Sequence, residues 1–321
     1  MKSHAPEVIA NRVLRSMQAT GQRTRPVALG AIDAHKVFLP ASYTQLYYTP
    51  VWADLDCRHQ LRYSQLYALR TNEVIMLFER YLVRAVLPPL ARRLHALRLP
   101  RLHRLLLEML REEQEHDRVF VALNHASRPD LYAKTDFFFF PPTLEMRAFI
   151  TLMGHTAPWL AHPLWLLFFI EESSLAMARE LAALESRQPQ RVDPNWLAVH
   201  REHTRDERRH TLIDRLLFES VYAERGGFAR GLDGWLFEHT LKAILYPRDR
   251  GAGVRVADQL IRDCPELAEL RPAILREIVR LGGNSTFLAS LFSQRLAPRA
   301  WKLFHRCPEL DRLADWVPDY A

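Results

Sequence analysis

The pattern Glu-x-x-His occurs in two places in the sequence, as Glu113 with His116 and as Glu207 with His210. An α-helix turns by about 100° per residue, so residues three apart point to the same side. His203 falls on the same stripe as Glu207, four residues before it. A single pair of this kind arises easily on a solvated helix, whereas two pairs predict helices that converge on one interior point.

The composition indicates an all-α protein. The 321 residues include only 11 glycines, 48% are hydrophobic and 25% are charged, and long stretches are rich in Leu, Ala and Arg. The net charge of +7 comes mostly from dispersed arginines without a nucleic-acid-binding motif, so we expect a solvated basic surface and no nucleic-acid partner.

The cysteines and the apolar segments indicate a cytoplasmic protein. Three cysteines without CxxC spacing favour neither disulfides nor a zinc site, which suits a reducing compartment. The N-terminus lacks the features of a signal peptide. The most apolar run, "PLWLLFFI" at 163–170, is too short to span a bilayer. We therefore expect no membrane association.

Apolar periodicity and proline positions predict one helical domain over residues 1–321. Residues 1–50 read as a loosely structured arm, 71–223 as a four-helix core and 226–321 as several shorter helices. Pro88 and Pro89 are expected to end the first core helix, and Pro100 and Pro194 to precede the second and the fourth. The four core helices are expected at 71–86, 102–124, 163–185 and 194–223.

Each Glu-x-x-His helix follows a helix with an acid on its apolar face. On the first helix Glu79 shares a face with Ile75, Met76 and Leu82, whereas Glu73 lies on the stripe of a charged residue.

On the third helix Glu171 and Glu172 both follow the apolar run. Glu79 precedes Glu113 by 34 residues and Glu172 precedes Glu207 by 35, so the spacing favours Glu172.

One Glu from each of two helices and one Glu-x-x-His from each of two others form the inward-facing ligand set of the four-helix di-iron or di-manganese carboxylate proteins. Carboxylate oxygens bridge two hard cations, and imidazole nitrogen suits iron. Bound metal also makes the burial of several carboxylates tolerable, because they otherwise repel each other and lose hydration. His203 has no counterpart on the second helix, where Met109 holds the equivalent position, so the site is asymmetric.

The sequence resembles the p-aminobenzoate N-oxygenase family of non-haem di-iron enzymes. The resemblance covers about residues 38–222 and is carried by "NEVIMLFERYL", "EEQEH", "EESSL", "HTRDERRH" and the lead-in "LPASYTQLYYTPVWADLDCRHQLRYSQLYALRTNE". It implies a ferritin-like helical bundle in which two iron ions activate O2 to oxidise an amine nitrogen. The metal ligands that it implies are Glu79, Glu113, His116, Glu172, His203, Glu207 and His210. Family patterns place an apolar residue three positions after the ligand, which suits Glu172, followed by Leu175, better than Glu171.

The resemblance also implies supporting residues and partners. Asp206 and Glu112 are expected to hydrogen-bond the histidine of the opposite repeat. The substrate is expected to be a small amine or an amino-acid derivative, either free or carried by an acidic carrier protein. An external electron donor is needed, and a homodimer is a further candidate assembly.

Two other functions are compatible with the sequence. A ferritin-like oxidase or metal store needs the bundle but neither the third histidine nor a substrate pocket. A partner-binding protein with a vestigial site conflicts with the complete ligand set. Aerobic turnover with amines separates the first alternative from an oxygenase. The residues alone do not choose between iron and manganese.

Overall fold

The computed structural model describes residues 5–20, 27–222, 225–318 and 320. Within these residues the chain is all-α, with 14 helices and no strands, and one isolated β-bridge joins Val37 to Val192. The helices are α1 Ala5–Thr20, α2 Val51–Asp54, α3 Cys57–Leu77, α4 Arg84–Ala96, α5 Pro100–Ser127, α6 Pro129–Tyr132, α7 Leu144–Thr156, α8 His162–Arg187, α9 Pro194–Val221, α10 Gly227–Leu245, α11 Ala252–Asp263, α12 Arg271–Arg280, α13 Ser285–Leu291 and α14 Pro298–Phe304. A π-helical turn, Phe78–Val83, joins α3 to α4.

The core is a ferritin-like bundle of four long helical segments. The first is formed by α3, the π-helical turn and α4, and the other three are α5, α8 and α9, which pack against one another as α8 with α9, α5 with α9 and α3 with α5. Proline starts two of them as predicted, Pro100 in α5 and Pro194 in α9. The Asp193 carboxylate caps α9 by accepting from the backbone N–H groups of Asn195 and Trp196.

The first core helix differs from the prediction at both ends. It begins at Cys57 rather than near residue 71, and Pro88 and Pro89 lie inside α4 instead of ending it. The prolines cannot donate to the carbonyls of Arg84 and Ala85, so local hydrogen bonding is lost. The backbone of α7 packs closely at this place, where a Cβ on Gly154 would lie 2.4 Å from the Ala85 oxygen. Tertiary packing therefore maintains the helix through the two prolines.

The prediction of a loosely structured arm is wrong for residues 5–20, which form α1. This helix packs on α5 and α9 and buries Ala10 and Leu14. Its Glu7 carboxylate accepts from the backbone N–H groups of Arg101 and Leu102 and so caps the first turn of α5. The apolar spacing of α1 was masked in the sequence by its interspersed arginines.

The aromatic stretch at residues 137–140, between α5 and α8, lies in a loop that is followed by α7. Its course is fixed by Glu73 of α3, whose buried carboxylate accepts from the backbone N–H groups of Phe138, Phe139 and Phe140 and from the Tyr132 hydroxyl. The buried carboxylate of Glu73 thus anchors this loop to α3.

The C-terminal helices share the main apolar core. The Phe169 ring of α8 packs on Phe292 at 4.7 Å between centroids, and Phe237 of α10 packs on Phe304 of α14 at 5.3 Å. Two Cys-Pro-Glu-Leu segments start the 3-10 helices Pro265–Leu270 and Pro308–Asp315. The three cysteines are free. None of the described helices combines the length and apolar character needed to cross a membrane.

Candidate metal centre

Six of the seven predicted ligand residues lie together inside the bundle. Their ligand atoms form two groups, one of Glu113, His116, Glu207 and His210 and one of Glu79, His116 and His203, and within each group these atoms lie within 4.8 Å of one another. All six side chains are buried. The α5 and α9 helices supply the Glu-x-x-His pairs, and the π-helical turn supplies Glu79.

Glu113 and Glu207 each present one oxygen to each half of the cluster. Glu207 lies 2.7 Å from His203 Nε2 and 3.3 Å from His116 Nδ1 through Oε1, and 3.4 Å from His210 Nδ1 through Oε2. Glu113 Oε1 lies 2.7 Å from His210 Nδ1 and its Oε2 lies 3.8 Å from His116 Nδ1. Two carboxylates placed in this way would each be able to serve both members of a pair of cations.

The choice of Glu172 over Glu171 is corrected by the structure. Oε2 of Glu171 lies 3.6 Å from His210 Nδ1, on the side of the cluster. Oε2 of Glu172 instead accepts from the backbone N–H groups of Arg299 (2.7 Å) and Ala300 (2.8 Å), in the first turn of α14. A helix N-terminus offers unpaired N–H groups and partial positive charge, which satisfy this carboxylate away from the cluster.

Two carboxylates orient the paired histidines, as expected. His116 Nε2 donates to Asp206 at 3.3 Å and His210 Nε2 donates to Glu112 at 3.0 Å, so each Nδ1 atom faces the cluster. Arg209 lies between the two carboxylates, 2.7 Å from Glu112 and 2.8 Å from Asp206. Burial by itself raises the pKa values of Glu112 and Asp206. The contacts with the paired histidines and with Arg209 outweigh burial and hold both pKa values below their usual range.

The inward-facing atoms have no hydrogen-bond partner among the described residues, although several lie close to oppositely charged atoms. These atoms are both oxygens of Glu79, Oε1 of Glu113, Oε2 of Glu171 and Glu207, and Nδ1 of His116 and His210. Burial raises the pKa of Glu79 well above its usual range, and burial together with His116 lowers that of His203. Buried carboxylates without a hydrogen-bond partner lower the stability of the folded state, and bound cations would compensate all these atoms at once. The residues therefore fit two metal ions.

Asp214 is a further buried acid that the sequence reasoning missed. It lies one helical turn after His210, is fully buried, and neither of its oxygens has a hydrogen-bond partner in the described part of the chain. Burial raises the pKa of its carboxyl well above the usual range, although His210 acts in the opposite direction. Its spacing of four residues from His210 was the available signal.

A third group of metal-ligand side chains lies near the surface and consists of His59, Cys264 and Glu266. Arg58 Nη2 already lies 2.6 Å from Glu266, and His59 Nε2 lies 2.9 Å from the same oxygen. These contacts compensate the carboxylate, so the group serves to join α3 to the C-terminal helices.

Comparison with known proteins agrees with this geometry. The family P-aminobenzoate N-oxygenase AurF matches residues 24–264. No individually curated protein matches the chain. The match covers more than half of the chain and contains every residue of the buried cluster. The chain therefore belongs to the p-aminobenzoate N-oxygenase AurF family.

Proposed function

We propose that this protein holds two iron ions and uses O2 to oxidise the nitrogen of a small amine. The observation that carries the proposal is the pair of buried ligand groups, which share His116 and are linked further by the contact of Glu207 with His203, in a chain that belongs to an N-oxygenase family. Glu79, His116 and His203 would hold one ion, and Glu171 and His210 the other. The two bridging carboxylates would serve both.

The bound irons would supply electrons to O2 and bring it into reaction with the amine. In the overall reaction one oxygen atom goes to nitrogen and the other leaves as water, which consumes two electrons and two protons from outside the protein. The chain contributes a buried bundle interior and fixed histidine orientations, with Nε2 of both paired histidines held by carboxylates. His203 gives one ion an additional nitrogen ligand, and this asymmetry supports an oxygenase over a symmetric metal store.

The test combines metal analysis with amine oxidation. Protein loaded anaerobically with ferrous iron is expected to retain two ions per chain and, in a single turnover with isotopically labelled O2 and p-aminobenzoate or other arylamines, to transfer label to nitrogen. Glu113→Ala should lose iron and product. Glu115→Ala, on the outer side of the same helix, is the matched control and should keep both. Oxidation of iron by O2 without label transfer to any amine would instead indicate a ferritin-like oxidase.

A further inference from the structure

A basic groove lies between α4 and α7, outside the proposed metal centre. It has a volume of about 690 Å³. Its walls are formed by Arg80, Tyr81, Arg84, Ala85, Pro89, Arg92, Arg93, Thr151, Gly154, His155, Pro158 and Trp159. None of these residues belongs to the cluster that would bind metal.

The arginines of the groove differ in how far they are neutralised. Arg80 is engaged by Asp117 at 3.0 Å and by Asp136 at 2.8 Å. Arg84 is half-exposed and lies 3.9 Å from Asp117. Arg92 and Arg93 are exposed and make no ion pair with a described carboxylate. The groove thus carries uncompensated positive charge.

Two large apolar side chains are exposed near this groove. Trp159, which lines the groove three residues after the end of α7, is 65% exposed, and Leu152 of α7 is 59% exposed, whereas Ile150 and Met153 of α7 are buried. Exposed apolar side chains beside arginines also have the composition of interaction hot spots. We call the surface formed by Arg84, Arg92, Arg93, Leu152 and Trp159 the α4–α7 face.

Charge and shape select the occupant of this face. A second copy of the chain in a two-fold interface would bring the arginines of one protomer onto the arginines of the other. A lipid surface is planar, whereas these arginines line a concave groove. A protein with an acidic protruding element could place its negative charges beside the arginines in the groove and cover the apolar side chains at its rim.

The inner wall of the groove adjoins the proposed metal centre. Arg80 directly follows Glu79 in the chain, and Asp117, to which Arg80 donates, directly follows His116. Glu79 and His116 are the residues proposed to hold the same ion. A partner docked in the groove would therefore contact Arg80, which directly follows one proposed ligand and is hydrogen-bonded to the residue that follows another.

We propose that the α4–α7 face docks an acidic one-electron donor protein, which delivers the two electrons of the reaction in successive transfers that reduce the two irons. This inference rests on the proposed function for its role, while the docking itself requires no metal. The occupant is identified by its chemistry, namely a negatively charged surface that carries a redox group.

The test uses a plant-type [2Fe–2S] ferredoxin, an acidic one-electron carrier, as the probe. Calorimetric titration of the metal-free protein should show binding that weakens with salt, and the double variant R92E/R93E should bind at least about tenfold more weakly. The double variant R215E/R276E, which changes two exposed arginines elsewhere by the same charge, should bind like wild type. In iron-loaded protein R92E/R93E should slow reduction by ferredoxin and leave reduction by dithionite unchanged.

Several outcomes would overturn the proposal. Two of them concern ferredoxin: the wild-type protein does not bind it, or both double variants bind it equally well. The other two point to a different occupant: the protein binds anionic lipid vesicles in place of ferredoxin, or it sediments as a dimer that Leu152→Asp converts to a monomer. Ferredoxin binding that depends on Arg92 and Arg93, in a protein that takes up no iron on anaerobic reconstitution, would support the docking surface and refute the proposed function, so the two failures are distinguishable.

Discussion

Glu171 and Glu172 are neighbours on α8 whose carboxylates satisfy different partners. Glu171 faces the histidine cluster, and Glu172 accepts from the two backbone N–H groups that begin α14. One acid is thus available to a metal ion while the other stabilises the packing of the C-terminal helices.

The first prediction separates these two roles. Glu171→Ala should lower iron retention and leave the free energy of unfolding of the metal-free protein unchanged or higher, because it removes a buried carboxylate with an unpaired oxygen. Glu172→Ala should keep iron but destabilise the metal-free protein by about 1–3 kcal/mol, since the buried N–H of Ala300 and the partly buried N–H of Arg299 lose their acceptor. Metal analysis and urea unfolding of both variants check this, and loss of iron only in Glu172→Ala would reverse the assignment.

The second prediction concerns His203, whose Nε2 lies 3.3 Å from Glu79 and 2.7 Å from Glu207. His203→Ala should fold and bind iron, because three carboxylates and His116 still surround that position. It should change the rate at which O2 reoxidises the ferrous protein, since one ion loses a nitrogen donor. Stopped-flow spectra identical to those of wild type would contradict this role.

The third prediction is a pH effect at His200, a buried ring packed between Phe120 and Trp196. Burial lowers its pKa to about 4, whereas the unfolded chain titrates near pKa 6.5. The unfolded state therefore binds the proton first, and the stability linked to this residue is present above pH 6.5 and is lost as the pH falls toward 4. Between pH 7.5 and 5 the loss is about 2 kcal/mol.

The phenylalanine variant at this position tests the effect. Urea unfolding of metal-free wild type and His200→Phe at the two pH values should show a smaller acid-induced loss in the variant, because the aromatic packing is kept without a titrating group. An equal loss in both proteins would mean that the folded state solvates the ring.

At the scale of helices, the contact of α7 with α4 depends on the absence of a side chain at Gly154. A Cβ there would lie 2.4 Å from the Ala85 oxygen, which is backbone and cannot move aside cheaply. Gly154→Ala should therefore destabilise the protein by about 1–3 kcal/mol. Gly231→Ala in α10, where a Cβ meets nothing within 4 Å, should stabilise it by about 0.5–1 kcal/mol. Thermal unfolding of both variants checks the pair, and equal effects would refute the close contact.

The helices also show what sequence reasoning reaches and where it stops. Residues three or four apart on one helix share a face, so Glu113 with His116 and His203 with Glu207 and His210 were predictable from local spacing. Spacing across a loop carries no rotational information, because the loop absorbs any difference in length. The match of 34 with 35 residues therefore misled the choice of Glu172. The residues around Glu171 and Glu172 could not indicate which acid faces the cluster, because α8 is buried on nearly all sides and has no distinct apolar face.

The π-helical turn could not be predicted from the sequence either. Its extra residue per turn changes the phase of every residue that follows, and no residue type in "FERYLV" demands it. The capping of α14 by Glu172 and the position of Arg209 likewise depend on contacts between segments distant in sequence. The sequence therefore predicts the types of ligand residue and the helices that carry them. It predicts less reliably which residues of two helices joined by a loop face each other.

At the scale of the whole molecule, the apolar core extends beyond the family match, which ends at residue 264. Trp301, Phe304 and Phe292 are almost completely buried in it. A chain ending at residue 264 should lose cooperative unfolding, because each such side chain contributes about 1.5–3 kcal/mol and typical domains are stable by only about 5–15 kcal/mol. Near-ultraviolet circular dichroism and size-exclusion chromatography check this. A stable, compact truncated chain would show that the prediction of a single domain over residues 1–321 is wrong.

Arg209 links the two halves of the centre through one guanidinium. Its contacts with Glu112 and Asp206 mean that the carboxylates orienting His210 and His116 share a single counter-charge. A displacement of one histidine would shift that charge and so change the basicity of the other. Two ions held by the proposed ligands would therefore be thermodynamically coupled by the protein as well as by their shared ligands, and filling one position would prepare the second for cooperative uptake.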